Sequence, residues 1–439
     1  MYRAAMEELK AWKAKKNRKP LIIRGARQVG KSWLMKEFGT REYEDMIYVS
    51  FDNNERMANL FEGSMNVERL IAGLALYAGR KIVPETTLLV FDEIQETPKA
   101  LTSLKYFNEN APQYQIVCAG SLLGVALHHG TSFPVGKVEF LDLHPMSFIE
   151  FLAAAGKEQY AELLNDGGFD IASAFAQDYA DLLKTYYFVG GMPEAVRVFC
   201  EDKSFDEARE VQRRILDAYE QDFSKHAPGA AVPRIRMLWN SIPSQLAKEN
   251  KKFIYGLVKE GARAKEYELA LLWLADCGLV SKVHRVASPE IPLKAYEDLK
   301  AFKLFLNDVG LLSCMTNIHQ SILLDGDRLF TEFKGALTEQ YVLQQLKTLR
   351  GLDIYYWSAE RSSAEVDFLV SDGREVVPVE VKAEVNLRAK SLKAFHDKYG
   401  PRLSVRTSMA GYKREEWLLN LPLWAIGTLK RAVEDTRKG

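Results

Sequence analysis

Along the first 150 residues, short continuous apolar runs alternate with amphipathic stretches. Runs at 20–24, 46–51, 87–91 and 115–120, and a shorter one near 138–142, read as strands. Unbroken hydrophobicity suits strands covered on both faces, as in a parallel sheet with helical crossovers. The order predicts a doubly wound α/β domain with ligands at the carboxyl ends of its strands. From about 147 to 230 the period turns helical and acidic, interrupted at Gly190-Gly191-Met192-Pro193, and predicts a helical lid. Over 235–315, helices around 235–248 and 264–276 precede the alternating run Gly278-Leu279-Val280-Ser281-Lys282-Val283. Helix, helix, then wing is the pattern of a winged helix-turn-helix, which either contacts DNA or packs between domains. The last segment holds two alternating strands, Ala364–Val370 and Glu375–Lys382, around an Asp372-Gly373 turn signal. The expected division is 1–150, 151–234, 235–315 and 316–439.

Composition narrows the class. The chain has 439 residues, 47% hydrophobic and 27% charged, ordinary values for a globular protein of about two to four domains. Cys118, Cys200, Cys277 and Cys314 are scattered without a CxxC pair. They read as reduced core thiols, and no disulfide or metal framework is expected. The Lys-rich N-terminal segment around Leu9 and Trp12 lacks the apolar core of a signal peptide. The longest apolar run, Ile116 to Leu127, is too short to cross a bilayer. The expectation is a cytoplasmic protein with no membrane segment.

Net charge is zero, with 59 basic and 59 acidic residues, so nothing in bulk electrostatics attracts nucleic acid. The distribution is uneven, however. Residues 150–222 carry 16 acidic against 7 basic side chains, 248–265 carry 6 basic against 2 acidic, and 382–414 carry 9 basic against 2 acidic. Contact with a phosphate backbone is expected from the second half, where the alternative is a pair of solvated basic faces.

Gly25-Ala26-Arg27-Gln28-Val29-Gly30-Lys31-Ser32 fits the phosphate-loop pattern G-x-x-x-x-G-K-[ST] at every fixed position. Its glycines let backbone N–H groups point into a concave nest, Lys31 reaches the β/γ-phosphates of ATP, and the Ser32 hydroxyl takes a Mg²⁺ position. The context agrees: Pro20-Leu21-Ile22-Ile23 reads as a strand entering the loop, and Ser32–Phe38 as a helix leaving it, stopped at Gly39. The run Leu88–Phe91 ends in Asp92-Glu93. Asp92 is expected to hold Mg²⁺ and Glu93 to orient and polarise the attacking water. Ser121, at the end of the next strand, either senses the γ-phosphate or caps a helix.

A second constellation lies in the C-terminal hairpin. A two-residue turn at Asp372-Gly373 sets residue 367 opposite residue 378, and period two then brings Asp367, Glu380 and Lys382 to one face. Val377, Val379 and Val381 face the core. Two carboxylates and a lysine suit a metal-dependent phosphodiesterase, with Mg²⁺ on the carboxylates and Lys382 positioning water or stabilising charge. Glu339 shares a helical stripe with Ala336, Leu343 and Leu346, where an unpaired carboxylate is costly, and is a candidate third ligand. The alternative is a solvent-facing charged strand.

Taken together, the chain resembles prokaryotic AAA-type P-loop ATPases fused to a C-terminal restriction-endonuclease-like module of uncertain function, over nearly its whole length. The resemblance rests on the loop 25–32, Phe91-Asp92-Glu93-Ile94-Gln95, Ala119-Gly120-Ser121 and Leu143-His144-Pro145-Met146-Ser147-Phe148. It continues through Gly190-Gly191-Met192-Pro193, Asn307-Asp308-Val309-Gly310-Leu311-Leu312 and Phe333-Lys334-Gly335-Ala336. Glu365-Val366-Asp367-Phe368 with Pro378-Val379-Glu380-Val381-Lys382 resembles the PD-(D/E)xK nuclease motif, whose acidic residues bind metal. The implied fold is a parallel P-loop sheet with helical lid, winged-helix-like module and an α/β nuclease-like domain. Relatives commonly carry Gly-Arg where this chain has Gly136-Lys137. An ammonium matches phosphate oxygens less well than a guanidinium fork, which puts activation across a subunit interface in doubt.

Two functions fit. In the first, ATP binding and hydrolysis control a nuclease-like, DNA-contacting domain. In the second, the protein is an ATP-dependent switch that binds protein partners through a non-catalytic C-terminal domain. Either allows an oligomer.

Overall fold

The structure, a computed structural model, describes residues 1–120, 133–248, 252–325, 331–359, 364–385 and 389–438. Two compact units emerge, one formed by 3–143 with 276–278, the other by 144–275 and 279–439 with the first two residues.

In the N-terminal unit, β1 (Leu21–Arg24), β2 (Asp45–Ser50), β3 (Thr87–Asp92), β4 (Gln115–Ala119) and β5 (Glu139–Asp142) form a sheet in the order β2-β3-β4-β1-β5 among the described residues. Every pairing is parallel. The inner strands β3 and β4 are buried along their whole length, whereas the edge strands β2 and β5 are buried only in part. That contrast is what continuous against broken apolar runs predict. Each strand starts or ends within a residue or so of its expected position. Beneath the end of β3, Phe51, Phe61 and Phe91 pack edge to face with centroids 5.4–5.9 Å apart, the arrangement the ring quadrupole favours. This cluster holds rigid the strand that ends in Asp92.

One expectation here is corrected. The helix after the loop runs from Lys31 to Glu42, straight through Gly39. That glycine does not stop the helix. It lets β2 approach, since a Cβ there would collide with the Met46 side chain.

The second unit begins with helices from Phe148 to Leu246. The first, Phe148–Ala154, opens with a capping box in which Ser147 Oγ accepts from Glu150 N–H and Glu150 Oε2 accepts from Ser147 N–H. A mixed sheet follows, built from β6 (Val280–Val286), β7 (Glu297–Leu306), β8 (Asp353–Ser358), β9 (Glu365–Ser371), β10 (Val376–Val381), β11 (Ser404–Ser408), β12 (Lys413–Arg414) and β13 (Leu418–Pro422). Its order among the described residues is β12-β13-β11-β10-β9-β8-β6-β7.

The antiparallel pair β6–β7, read from sequence as the wing of a separate module, is part of this sheet. Arg285 and Val286 of β6 pair in parallel with Tyr356 and Trp357 of β8. The sheet therefore crosses the boundary expected at 315/316, because pairing between strands about 70 residues apart leaves no local trace in the sequence.

The hairpin register also differs from the tight-turn expectation. Pro378 lies opposite Leu369 and Val379 opposite Phe368. The connection is a four-residue loop, 372–375, in which Asp372 Oδ1 accepts from Arg374 N–H at 3.0 Å and Gly373 takes φ 84°. An Asx turn closed by the Asp372 side chain thus replaces a two-residue turn. The slip is by two residues, so side-chain parity along β9 is unchanged.

Candidate functional site

The loop between β1 and its helix takes its shape from three unusual backbone positions. Gly25 has φ 148°, Gln28 φ 67° and Gly30 φ 94°. A Cβ at Gly25 would run into the carbonyl oxygen of Leu143, so only glycine fits where the chain after β5 passes. Val29 and Ala26 are buried and anchor the loop from within. The guanidinium of Arg3, itself buried, donates to Val29 O at 2.9 Å. Ser32 stands half-buried in the first turn of the helix.

Lys31 is 6% exposed. Its ammonium folds back to donate to the carbonyls of Gly25 at 2.9 Å and Ala26 at 2.7 Å. Burial lowers its pKa to about 8, against the opposing pull of the Glu93 and Asp92 carboxylates. The loop lysine and the acidic pair, separated in the sheet by β4, therefore act on one another. Asp92 is buried, with Oδ2 accepting from the Tyr48 hydroxyl at 2.7 Å and Oδ1 from Glu93 N–H at 3.1 Å. Glu93 sits in the left-handed region at φ 50°, sparsely populated for a residue with a side chain and typical of functional turns. Gln95 Nε2 holds its Oε2 at 2.6 Å.

Tyr48 was not legible as a site residue. It lies on edge strand β2 opposite Val90, and burial first, then the bond to Asp92, raises its pKa. The ammonium of Lys36 lies 4.0 Å above its ring. Lys137 pairs within this unit with Glu109 at 2.9 Å, and Glu109 is held below its usual range by that bond. Ser121 lies outside the described residues.

In the second unit, Glu339, Asp367, Glu380 and Lys382 are joined by two residues that sequence reasoning did not select, Lys303 and Glu365. Lys303 Nζ lies 2.5 Å from Glu365 Oε1, 3.5 Å from Glu339 Oε2 and 3.9 Å from Asp367 Oδ1. Its side chain is 1% exposed, and the ammonium also lies 5.0 Å from the Tyr356 ring. Burial works against the charged form, but the three carboxylates outweigh it and raise the pKa of Lys303. Asp367 Oδ2 accepts from Val381 N–H at 2.8 Å, which ties β9 to β10 beyond their regular ladder.

Glu380 is 6% exposed, so β10 is not a solvent-facing charged strand. Its Oε1 accepts from Lys382 Nζ at 2.7 Å, while Oε2 is buried with no hydrogen-bond partner among the described residues. Burial raises the pKa of Glu380, against Lys382. Lys382, which burial alone would lower, is raised by Glu380 and by Asp367 and Glu339. The all-oxygen donor set suits a hard divalent ion, and the orphaned Glu380 Oε2 is where such an ion gains a ligand. Yet among the described residues no three His, Cys, Asp or Glu side chains form a ready cage. The cation between Glu339, Glu365 and Asp367 is an ammonium.

Residues 17–152 match a family profile described as an AAA domain. Residues 180–321 and 334–426 match profiles described as domains of unknown function, DUF8612 and DUF4143. No curated protein matches. Among solved structures, the Walker-type ATPase PABY2304 of Pyrococcus abyssi is 14% identical, covers 71% of this chain and 94% of its own, and has a TM-score of 0.46. The Aeropyrum pernix ORC1 protein in complex with DNA is 15% identical, with 71% and 90% covered and a TM-score of 0.29. The loop, the parallel sheet and the profile over 17–152 together make the N-terminal part a P-loop AAA-type domain. No helix among the described residues is long and apolar enough to cross a membrane.

Proposed function

We propose that the protein binds and hydrolyses ATP and that its nucleotide cycle controls a nuclease-like, DNA-contacting C-terminal domain. The observation that carries the ATPase half is the Lys31 ammonium, buried between loop carbonyls and under the field of Asp92 and Glu93. Carbonyls are weak partners for a buried charge, and the phosphates of ATP are far better ones. Lys31 would exchange Gly25 and Ala26 for the β/γ-phosphates, while the loop N–H groups of residues 25–32 donate to phosphate oxygens. Mg²⁺, when bound, would supply neutralisation of phosphate charge. Ser32 and Asp92 would hold it, with Tyr48 fixing the Asp92 carboxylate. Glu93 would take the proton of the attacking water, aimed by its bond to Gln95.

Support for DNA contact is the basic excess at 382–414, where Lys393 and Lys413 are exposed but pair with Asp397 and Glu415, carboxylates that phosphates would have to displace. Cationic side chains that neutralise phosphates make binding steeply salt-dependent. The test is ATP turnover with and without duplex DNA at several salt concentrations. Stimulation that fades with salt supports control of a DNA-contacting domain, and turnover indifferent to DNA refutes it.

The second reading, a switch for protein partners with a non-catalytic C-terminal domain, is favoured by one observation. An ammonium already sits among Glu339, Glu365 and Asp367, and a nuclease would use the first and last of these for metal.

A further inference from the structure

In the C-terminal sheet, a charge arrives from outside the hairpin that carries the acidic residues. Lys303 belongs to β7, the edge strand, in a run of six buried residues from Ala301 to Leu306 in which it alone is charged. A lysine in such a strand is expensive to bury unless it is paired. Here three carboxylates from two other elements converge on it: Glu339 from the helix Thr331–Lys347, and Glu365 and Asp367 from β9. Oxygens of all three carboxylates lie within 4 Å of the one ammonium nitrogen. A divalent ion placed against the same oxygens would face the ammonium at close range and repel it.

The ammonium does not balance the charge of the cluster by itself. Glu339, Glu365, Asp367 and Glu380 bring four formal negative charges, and Lys303 and Lys382 bring two positive ones, leaving a deficit of two. Oε2 of Glu380 is buried with no hydrogen-bond partner among the described residues.

We propose that the Lys303 ammonium is a tethered cation standing in for a divalent metal ion, so that the native carboxylate cluster is closed to metal. Replacing Lys303 then creates a divalent site from Glu339, Glu365 and Asp367. The inference does not depend on ATP hydrolysis and concerns the second unit alone. It assigns the cluster a structural role, in which a fixed charge takes over what an exchangeable ion does in a metal-dependent phosphodiesterase.

The test titrates Mn²⁺ into nucleotide-free full-length protein, read by electron paramagnetic resonance of the free ion. An Asp92→Asn control identifies any ion held near the phosphate loop. The native protein should show no site that Glu380→Gln or Asp367→Asn removes. Lys303→Met should bind one additional Mn²⁺ at least about tenfold more tightly than the native protein, since hard carboxylates freed of their ammonium favour a hard cation. Glu339→Gln added to Lys303→Met should abolish that site. Folding of Lys303→Met only when Mn²⁺ is present, followed by circular dichroism, also supports the proposal. A native Mn²⁺ site lost in Glu380→Gln overturns it, as does a folded Lys303→Met protein that gains no ion. Should Lys303→Met fail to fold with or without Mn²⁺, the native protein decides through the ¹⁵N resonance of its lysine ammonium groups. A slowly exchanging signal absent from Lys303→Arg and unmoved by Mn²⁺ supports the proposal, and its absence or displacement by Mn²⁺ overturns it.

Discussion

The backbone N–H of Gly191 donates to Oδ2 of Asp308 at 2.7 Å, across 117 residues of chain. Asp308 is fully buried. Its Oδ1 caps the helix Val309–Met315 through Leu311 N–H at 3.0 Å, and its Oδ2 also accepts from Gln344 Nε2 at 2.9 Å. Gln344 Nε2 in turn donates to the Tyr186 hydroxyl, which donates to Met146 O. Gln345 accepts from Phe148 N–H at 2.8 Å. Three of the segments that carry the family resemblance, around 146–148, 190–193 and 307–312, thus meet in one buried polar junction. Within the second unit these contacts join helices to one another.

That junction sets the first expectation. Asp308→Ala removes the acceptor of the buried Gly191 and Leu311 N–H groups and one of the two acceptors of the Gln344 amide, and should cost about 3 kcal/mol or more of stability. The pH dependence gives a sharper check. Burial pushes the Asp308 carboxyl above the ordinary aspartate range, against the pull of the Gly191, Leu311 and Gln344 donors. A pKa raised on folding means the folded state holds the proton more tightly. The resulting stabilisation is fully present below the unfolded value and is lost as pH rises through the folded one. Urea unfolding of native protein and Asp308→Asn should therefore show their stability difference shrinking as pH rises from about 4 towards neutrality. A difference that widens over that range would place the shift in the opposite direction.

Lys31→Ala removes a buried cation whose present partners are two carbonyls. ATP affinity should fall at least about tenfold, roughly 1.4 kcal/mol. The variant should fold normally, because the lost bonds are to carbonyls that other N–H groups and water can serve. Calorimetry giving an unchanged dissociation constant would remove Lys31 from the phosphate site.

Glu93→Gln keeps the shape of the side chain and its bond to Gln95, but cannot accept a proton. ATP binding should be retained while turnover drops by about 10²–10⁴-fold, the usual contribution of a general base. Turnover close to native would leave Glu93 a purely structural turn residue, its left-handed backbone then needing another explanation.

How much of this could be read beforehand depends on whether the cause is local. The loop, the five parallel strands and Asp92-Glu93 were legible, because strand hydrophobicity and the glycine pattern are properties of short segments. Gly39 was misread, since the approach of Met46 that requires a glycine comes from another element. The hairpin was found, but its register depended on the Asp372 side chain closing a longer loop. Lys303 leaves a faint trace, a single lysine in the apolar run Ala301–Leu306. Its partners lie on a helix and a strand with no sequence relation to it, and only sheet order brings them together. Tyr48 left less still, an ordinary aromatic on an edge strand.

Tyr48 is also the residue whose replacement separates packing from chemistry. Tyr48→Phe removes one hydroxyl, the donor to Asp92 Oδ2, and leaves the ring beneath the Lys36 ammonium in place. The side chain is part-buried on an edge strand, so stability should change by only about 1 kcal/mol, the net worth of one hydrogen bond. The effect on function should be larger. A carboxylate that holds Mg²⁺ relies on its outer partner for orientation, and loss of such a partner typically costs about 10–100-fold in metal affinity or activity. The expected signature is an ATPase that needs about tenfold more Mg²⁺ for half-maximal turnover, with ATP binding in the absence of Mg²⁺ unaltered. Turnover is to be titrated against Mg²⁺ at fixed ATP for native protein and Tyr48→Phe. Superimposable curves would make Tyr48 a packing residue and would leave Asp92 to be oriented by the Glu93 N–H alone.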